Sequence, residues 1–438
     1  MKYKESFYNI HLDEFFTDTD LKIGHNAIYN TLSGKLGNLP DTIDYDTPNE
    51  TLVKNGFIVP SNTDETTHYI KCSTREILND KPNKIVLEVA TTLRCNMQCS
   101  YCFEKCSRDI DMSDNTLQDY IDYIKREIDR NNALEELYII FFGGEPLLRI
   151  DVIERISSEI IPYCRKHNIR YKASITTNGY LYTKDVAIKL KELGINFAQI
   201  SLDGFEETYN AFRNPPQNAF NTVIQNIEQS ILPLCIKLNT LPNNKDEILK
   251  LATYLSENEA LKKIKKQIWI SRGLEYTRPV TYSFTDSEWI DYRDEACKIN
   301  NNIKFELVRM GRLKPGYFPC KFVCSRDVCL SPDGFLYRCG CCLGVNQYAV
   351  GTIKDGIDEN NEMNKFFVSQ RLKAKCSKCI LLPACNGGPC RYEEFLGIDN
   401  CEYIKKLFKQ SLKYLIELNQ EKKKKKRRVH SSLPLKNE

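Results

Sequence analysis

Between residues 84 and 300 the chain repeats one pattern: a short apolar run, then apolar residues spaced three and four apart. Lys84 to Thr92 (Lys-Ile-Val-Leu-Glu-Val-Ala-Thr-Thr) is rich in β-branched residues and predicts a buried strand. Ser113 to Arg130 then places Leu117, Tyr120, Ile121, Ile124 and Ile128 at helical spacing. The same alternation predicts strands at 136–142, 170–176, 197–203, 234–241 and 266–272. It predicts helices at about 113–131, 150–167, 184–193, 218–231, 246–257 and 285–299. Six strand–helix units predict an α/β fold with a parallel sheet, curved or partly closed like a barrel. The C-terminal strand ends then form one rim, where such folds carry their chemistry.

The flanks break the pattern. Residues 1–83 are short in element and acidic, with a turn at Asn38-Leu39-Pro40 and an apolar ending at 56–60. They predict a small separate subdomain. Residues 315–401 hold eleven Cys in 87 residues. Within them 329–337 reads as a hairpin turning at Pro332-Asp333-Gly334. Glu402 to Lys422 predicts a helix with Leu407, Leu412, Leu415, Ile416 and Leu418 on it. The basic run Lys422–Arg428 beyond it reads as a solvated, disordered extension.

Composition narrows the class. Hydrophobic content of 42% and charged content of 27% are those of a globular protein. The net charge of +4 conceals +7 in residues 422–438, which leaves about −3 for the rest and −6 over residues 1–80. No basic face with interleaved aromatics marks a nucleic-acid groove. Apolar runs such as 137–142 are too short to cross a membrane, and residues 1–10 lack the apolar core of a signal peptide. A cytoplasmic protein is expected, and there its 19 Cys argue for metal ligands over disulfides. None of the five His falls inside a Cys cluster, which favours all-thiolate sites. The isolated Cys72, Cys164, Cys235 and Cys297 read as buried packing, and Cys106 as a bystander.

Cys95, Cys99 and Cys102 follow the first predicted strand directly. Three thiolates give an iron–sulfur cluster three of its four usual ligands and leave one iron open to a non-protein group. Later strand ends are also polar and Gly-bearing: Gly143-Gly144-Glu145-Pro146, Thr176-Thr177-Asn178-Gly179 and Ser201-Leu202-Asp203-Gly204. Two Gly at 143 and 144 let backbone approach a ligand closely. Taken alone, Glu145 reads equally well as a helix-start residue.

Over roughly residues 84–300 these motifs resemble the radical S-adenosylmethionine (SAM) enzymes. The Cys-x3-Cys-x2-Cys loop, with Tyr101 before its last Cys, is similar to that family's cluster motif. Gly143-Gly144-Glu145-Pro146 is similar to its motif for the SAM amino group. The resemblance implies a partial (β/α)6 barrel. It implies a [4Fe–4S] cluster on Cys95, Cys99 and Cys102, with SAM on the open iron and Glu145 at its amino group. Ser201 and Asp203 would lie near the ribose, Arg213 near the carboxylate and Tyr101 near the adenine. Reductive cleavage of SAM would yield a 5′-deoxyadenosyl radical able to abstract an unactivated hydrogen.

Cys376-x2-Cys379-x5-Cys385-x4-Cys390, with Cys401 beyond, resembles the SPASM extension of peptide-modifying radical SAM enzymes, although x3 is usual before the Cys matching Cys390. Cys324-x9-Gly334-x4-Cys339 resembles the first half of that pattern. Interleaved ligation would give one auxiliary [4Fe–4S] cluster Cys320, Cys324, Cys339 and Cys390. The other would take Cys376, Cys379, Cys385 and Cys401. Cys329 reads as a buried hairpin residue. Cys341 and Cys342 stay open between replacing a ligand and touching substrate. Sulfatase maturases carry an Asp after the Cys matching Cys339; Gly340 stands there here. A maturase of a ribosomally made peptide is therefore expected, forming a thioether or carbon–carbon crosslink. Its partners would be a peptide with a leader, docked by residues 1–83, and an electron donor of flavodoxin or ferredoxin type. A sulfatase maturase and a non-catalytic iron–sulfur or zinc protein are the alternatives; structural zinc would fold Cys-x2-Cys pairs into a small knuckle.

Overall fold

A computed structural model describes residues 1–17, 21–79, 81–102, 104, 110–273, 284–299, 304–305, 313, 315–317, 320–324, 326–369, 372–388, 390–399 and 401–431. The chain divides into two compact units: residues 78–306 with 320–369, and residues 1–77 with 307–319 and 370–438. Cys106 and the Cys297 side chain lie outside the described residues.

The larger unit is built on an 11-stranded sheet. Its heart is six strands: β1 (Lys84–Ala90), β2 (Glu136–Phe142), β3 (Arg170–Thr177), β4 (Ile195–Leu202), β5 (Leu234–Thr240) and β6 (Lys266–Arg272). They are parallel and lie side by side in chain order. Consecutive right-handed crossovers put every connecting helix on one face, which is the partial-barrel arrangement. The helices are α1 (Asp114–Asp129), α2 (Ile150–Lys166), α3 (Lys184–Glu192), α4 (Glu206–Arg213), α5 (Ala219–Glu228), α6 (Lys245–Glu257) and α7 (Asp286–Ile299). Ser113 and Thr183 cap α1 and α3 by accepting from Thr116 N and Val186 N. Strand residues facing the helices, such as Leu87, Ile139, Ile175, Ile200 and Leu238, are fully buried. The alternate residues make a different face: Glu88, Tyr138, Phe142, Gln199, Lys237 and Trp269 are partly open. The strand predictions hold to within a few residues. Helix α4, absent from the sequence reading, follows β4.

A short strand β7 (Lys304–Phe305) pairs with β6. On the other side β8 (Val328–Leu330) joins β1 in parallel, and β9 (Phe335–Tyr337) folds back on β8 around Gly334. The expected hairpin is present, and it extends the main sheet. Val86 N donates to Asp327 Oδ1 at 2.7 Å, which pins the start of the hairpin to β1.

In the smaller unit, Asn9–His11, Ala27–Asn30 and Lys35–Asn38 form a three-stranded antiparallel sheet. Its Ile10 and Tyr29 share one core with Leu381, Phe408, Leu412 and Ile416. Residues 1–77 are therefore not a separate body. Their apolar face is covered by the chain's C-terminal segment. The cysteine-rich region is divided too, with 320–369 in the larger unit and 370–401 in the smaller. The last helix runs from Cys401 to Ser431, through the basic run whose charge predicts a disordered extension. Cys164 and Cys235 are buried as expected. Cys72 is only partly so, with its sulfur 3.6 Å from His68 Nε2 one helical turn away.

Candidate active site

The loop after β1 carries Cys95, Cys99 and Cys102, and bonds on three sides hold it. Leu93 N donates to Ile110 O at 2.9 Å, and Arg94 Nη1 to Asp111 Oδ2 at 2.8 Å. Met97 is buried beneath the loop. Gln98 N and Ser100 N donate to Arg213 O and Phe212 O, each at 2.8 Å, at the end of α4. Burial pushes the Cys95 thiol up to about 12 and moves Cys99 the same way. Thiolates placed here need a cation to compensate them.

The second wall is the turn after β2. Gly143 has φ +126°, and a Cβ there would stand 2.3 Å from Thr92 O. A Cβ on Gly144 would stand 2.2 Å from Arg94 O. The two glycines thus admit the backbone of the cysteine loop. Gly144 N donates to Thr92 O at 3.0 Å, and Glu145 N to Arg94 O at 2.8 Å. Glu145 caps the short turn Pro146–Arg149, so its helix-start role is real. Its carboxylate is nevertheless fully buried. It accepts from Thr177 Oγ1 and Asn178 N, each at 2.7 Å, and from Leu147 N at 3.1 Å. Burial raises it to about 6 against the pull of those donors.

Asn178 links this wall to the cysteines. Its Nδ2 donates to Asn96 Oδ1 at 2.6 Å and lies 3.9 Å from Cys95 Sγ. Asn96 Nδ2 is buried and meets no hydrogen-bond partner among the described residues.

The third wall joins β4, β5 and α4. Asp203 Oδ2 accepts from Arg213 Nε at 2.5 Å and from Tyr101 Oη at 2.6 Å; Oδ1 accepts from Asn239 Nδ2 at 2.9 Å. Asp203 and Arg213 are almost wholly buried, so Arg213 is not a surface arginine. Three residues expected around one cofactor thus meet in one network. Ser201 lies on β4, two positions before Asp203, and is partly open. Sequence reasoning missed Asn239, although a polar residue two positions after Lys237 on the open face of β5 was its signal. It also gave Thr177 and Asn178 no role.

The other cysteines fall in two places. Arg338, fully buried, donates from Nη1 to Cys324 O at 2.8 Å and Asp327 O at 2.9 Å, and from Nε to Asn364 Oδ1 at 2.8 Å. It ties Cys324 to the segment that carries Cys339. Cys329 is buried in the hairpin, as expected, and its sulfur lies 3.2 Å from Glu88 Oε2. In the smaller unit, burial and the neighbouring Cys379 and Cys401 raise the Cys376 thiol. Cys390 opens the helix Arg391–Phe395. None of the described cysteines is in a disulfide. Among the described residues no three His, Cys, Asp or Glu converge on a single metal ion, and no helix is long and apolar enough to cross a membrane.

Residues 89–255 match the family model of the radical SAM superfamily. Residues 89–255 thus form a radical SAM domain. Superfamily members are enzymes that use a [4Fe–4S] cluster and SAM. Among curated relatives, the Fe-coproporphyrin III synthase of Methanosarcina barkeri is 34% identical over 147 residues, which is 34% of each chain. A GTP 3′,8-cyclase of Campylobacter jejuni is 33% identical over 180 residues, covering 40% of this chain and 53% of that one. The chain thus spans about a third to a half of the length of these relatives. Two solved structures share the radical SAM fold more widely. AnSMEcpe with bound AdoMet and Kp18Cys peptide has a TM-score of 0.59 at 20% identity, covering 77% of this chain and 99% of that one. Streptococcus suis SuiB bound to precursor peptide SuiA has a TM-score of 0.52 at 17% identity, covering 88% and 83%.

Proposed function

We propose that this protein reductively cleaves SAM on a cluster held by Cys95, Cys99 and Cys102, and uses it to modify a ribosomally made peptide. One observation carries the reading. The three-thiol loop is pinned between a buried carboxylate at Glu145 and a buried Asp203–Arg213 pair, on the rim of a partial barrel. The donor set fits the two groups. Desolvated thiols suit a cationic iron cluster. Glu145, a dry carboxylate held by neutral donors, suits an ammonium. The orphaned Asn96 Nδ2 offers a further hydrogen bond beside Cys95. When bound, cluster and cofactor supply a hydrogen-abstracting 5′-deoxyadenosyl radical.

The chain's own part is to bind, orient and shield. Glu145 would take the amino group and Arg213 would serve the carboxylate. Ser201 and Asp203 would serve the ribose, and Tyr101 the adenine. Cys320, Cys324 and Cys339 would serve one auxiliary cluster, and Cys376, Cys379, Cys385 and Cys401 the other. Residues 1–83 dock a leader peptide, and their charge of −6 over residues 1–80 suits a basic stretch in it. An electron donor of flavodoxin or ferredoxin type delivers the electron, in the cytoplasm. The shared fold of two proteins solved with peptides supports the peptide class. That fold supports a sulfatase maturase equally well, but Gly340 counts against it.

The test is anaerobic reconstitution with iron, sulfide and reductant. The wild-type protein should bind iron at the 95–102 loop and form 5′-deoxyadenosine from SAM; Cys99→Ala should lose both. With synthetic peptides from short reading frames flanking the gene, a mass loss of two hydrogens means crosslinking. Wild-type protein that binds iron yet never splits SAM ends the proposal.

A further inference from the structure

The open face of the six-stranded sheet holds a carboxylate that cofactor binding does not use. Glu88 sits in the middle of β1, amid the apolar residues Ile85–Leu87 and Val89–Ala90, with neighbouring strands on both sides. A charge at such a place is costly unless it has partners or a use. Its side chain is partly open and shares its face with Tyr138, Phe142 and Ser201, opposite the helix-packed Leu87 and Val89. It lies two residues, roughly 7 Å, before the end of β1 that leads to Cys95.

A hydrogen bond and the space beside Gly340 show where the carboxylate points. Cys329, its register partner on β8, donates its thiol hydrogen to Glu88 Oε2 at 3.2 Å. A Cβ on Gly340 would stand 2.9 Å from that same oxygen and 3.7 Å from the Phe142 ring. The missing side chain at 340 therefore leaves the space that the carboxylate fills. Glu88 lies between the strand end bearing the first three cysteines and the segment bearing Cys339 and Cys341, all within one compact unit.

We propose that Glu88 is the proton acceptor of the peptide-modifying step. The assignment rests on the function proposed above. In a crosslink that removes two hydrogens, one leaves the peptide as an atom to the 5′-carbon of the cleaved cofactor. The second leaves as a proton to the Glu88 carboxylate. An iron–sulfur group held by the other cysteines would take the remaining electron as the new bond closes between the two peptide atoms. The Cys329 thiol orients the carboxylate and is a positioning residue.

Glu88→Gln keeps the shape and removes the basicity. Iron content, peptide affinity and 5′-deoxyadenosine formation should stay within twofold of wild type. Crosslinked peptide per 5′-deoxyadenosine should fall about a hundredfold. Glu88→Asp should recover part of it, and Cys329→Ala should keep most. The probe is the flanking-gene peptide that wild-type protein converts. Wild-type product yield in Glu88→Gln overturns the assignment, as does loss of iron or SAM cleavage in step with product, since either marks a structural role. If wild-type protein forms 5′-deoxyadenosine but converts no peptide, the peptide reading falls and this assignment with it. If it forms none, the radical chemistry itself has failed.

Discussion

Glu136 opens strand β2, and Glu145 stands three residues past its end. Both are shielded from solvent, and their surroundings are opposite. Glu136 accepts from Lys172 and Arg170, and from Lys84 on its other oxygen, at 2.8 to 2.9 Å. Lys172 first and then Lys84 hold its carboxyl down at about 2. Among the described residues Glu145 has three neutral donors and no ion pair, and burial raises it to about 6. One carboxylate is already paired with charge and serves the fold. The other is preorganised by dipoles and held in a dry place, where a cationic partner gains most. The partner of a carboxylate, more than its burial, separates the supporting end of the sheet from the working end.

Asp203 is the third case: buried like Glu145 and paired like Glu136. Asp203→Asn strips Arg213 of its counter-charge and leaves a guanidinium in the dry interior. A loss of about 3–5 kcal/mol in unfolding free energy is expected, read by denaturant titration. A loss under 1 kcal/mol would show that Arg213 relaxes to water.

Glu145→Gln removes the charge but keeps the shape. SAM affinity should fall about a hundredfold, close to 3 kcal/mol, with folding stability equal to or above wild type. Anaerobic equilibrium dialysis measures it. The pH dependence follows from the same burial. The folded value near 6 exceeds the ordinary 4.5, so ligand-free protein loses stability as pH rises through that window. SAM binding needs the ionised form, so wild-type affinity should weaken as pH drops below about 6. The Gln variant should show no such limb.

Glu136→Gln is the smallest effect. About 1–2 kcal/mol of stability should go, a figure discounted because Lys84, Arg170 and Lys172 are about half exposed. This folded value is depressed, so the stability is complete above about 4.5 and lost as pH falls toward about 2. SAM affinity should not move. A change of more than threefold would erase the distinction between the two ends.

Much of the larger unit was legible because its strands are apolar runs that end abruptly in polar, Gly-bearing turns. Helix α4 escaped because it is only eight residues long, buries just Tyr209 and Arg213, and stops at Asn214 in the left-handed region. The glycines at 143 and 144 were visible, but what they admit was not, since only folding brings Thr92 O and Arg94 O against them. Asn239 was hidden for the same reason: its partners Tyr101 and Asp203 are 138 and 36 positions away. The division of the cysteine-rich region escaped for another reason. Cysteine spacing encodes ligation, whereas the division follows the core that Leu381, Phe408 and Leu412 share with Ile10 and Tyr29.

The amides of Gln98 and Ser100 close the end of α4 on the carbonyls of Arg213 and Phe212. A helix terminus leaves such carbonyls in need of donors, and here the donors belong to the thiol-bearing segment. Fraying of that helix and release of the segment are therefore one cooperative event. In hydrogen exchange those two amides should open together with the last turn of α4, as a single latch.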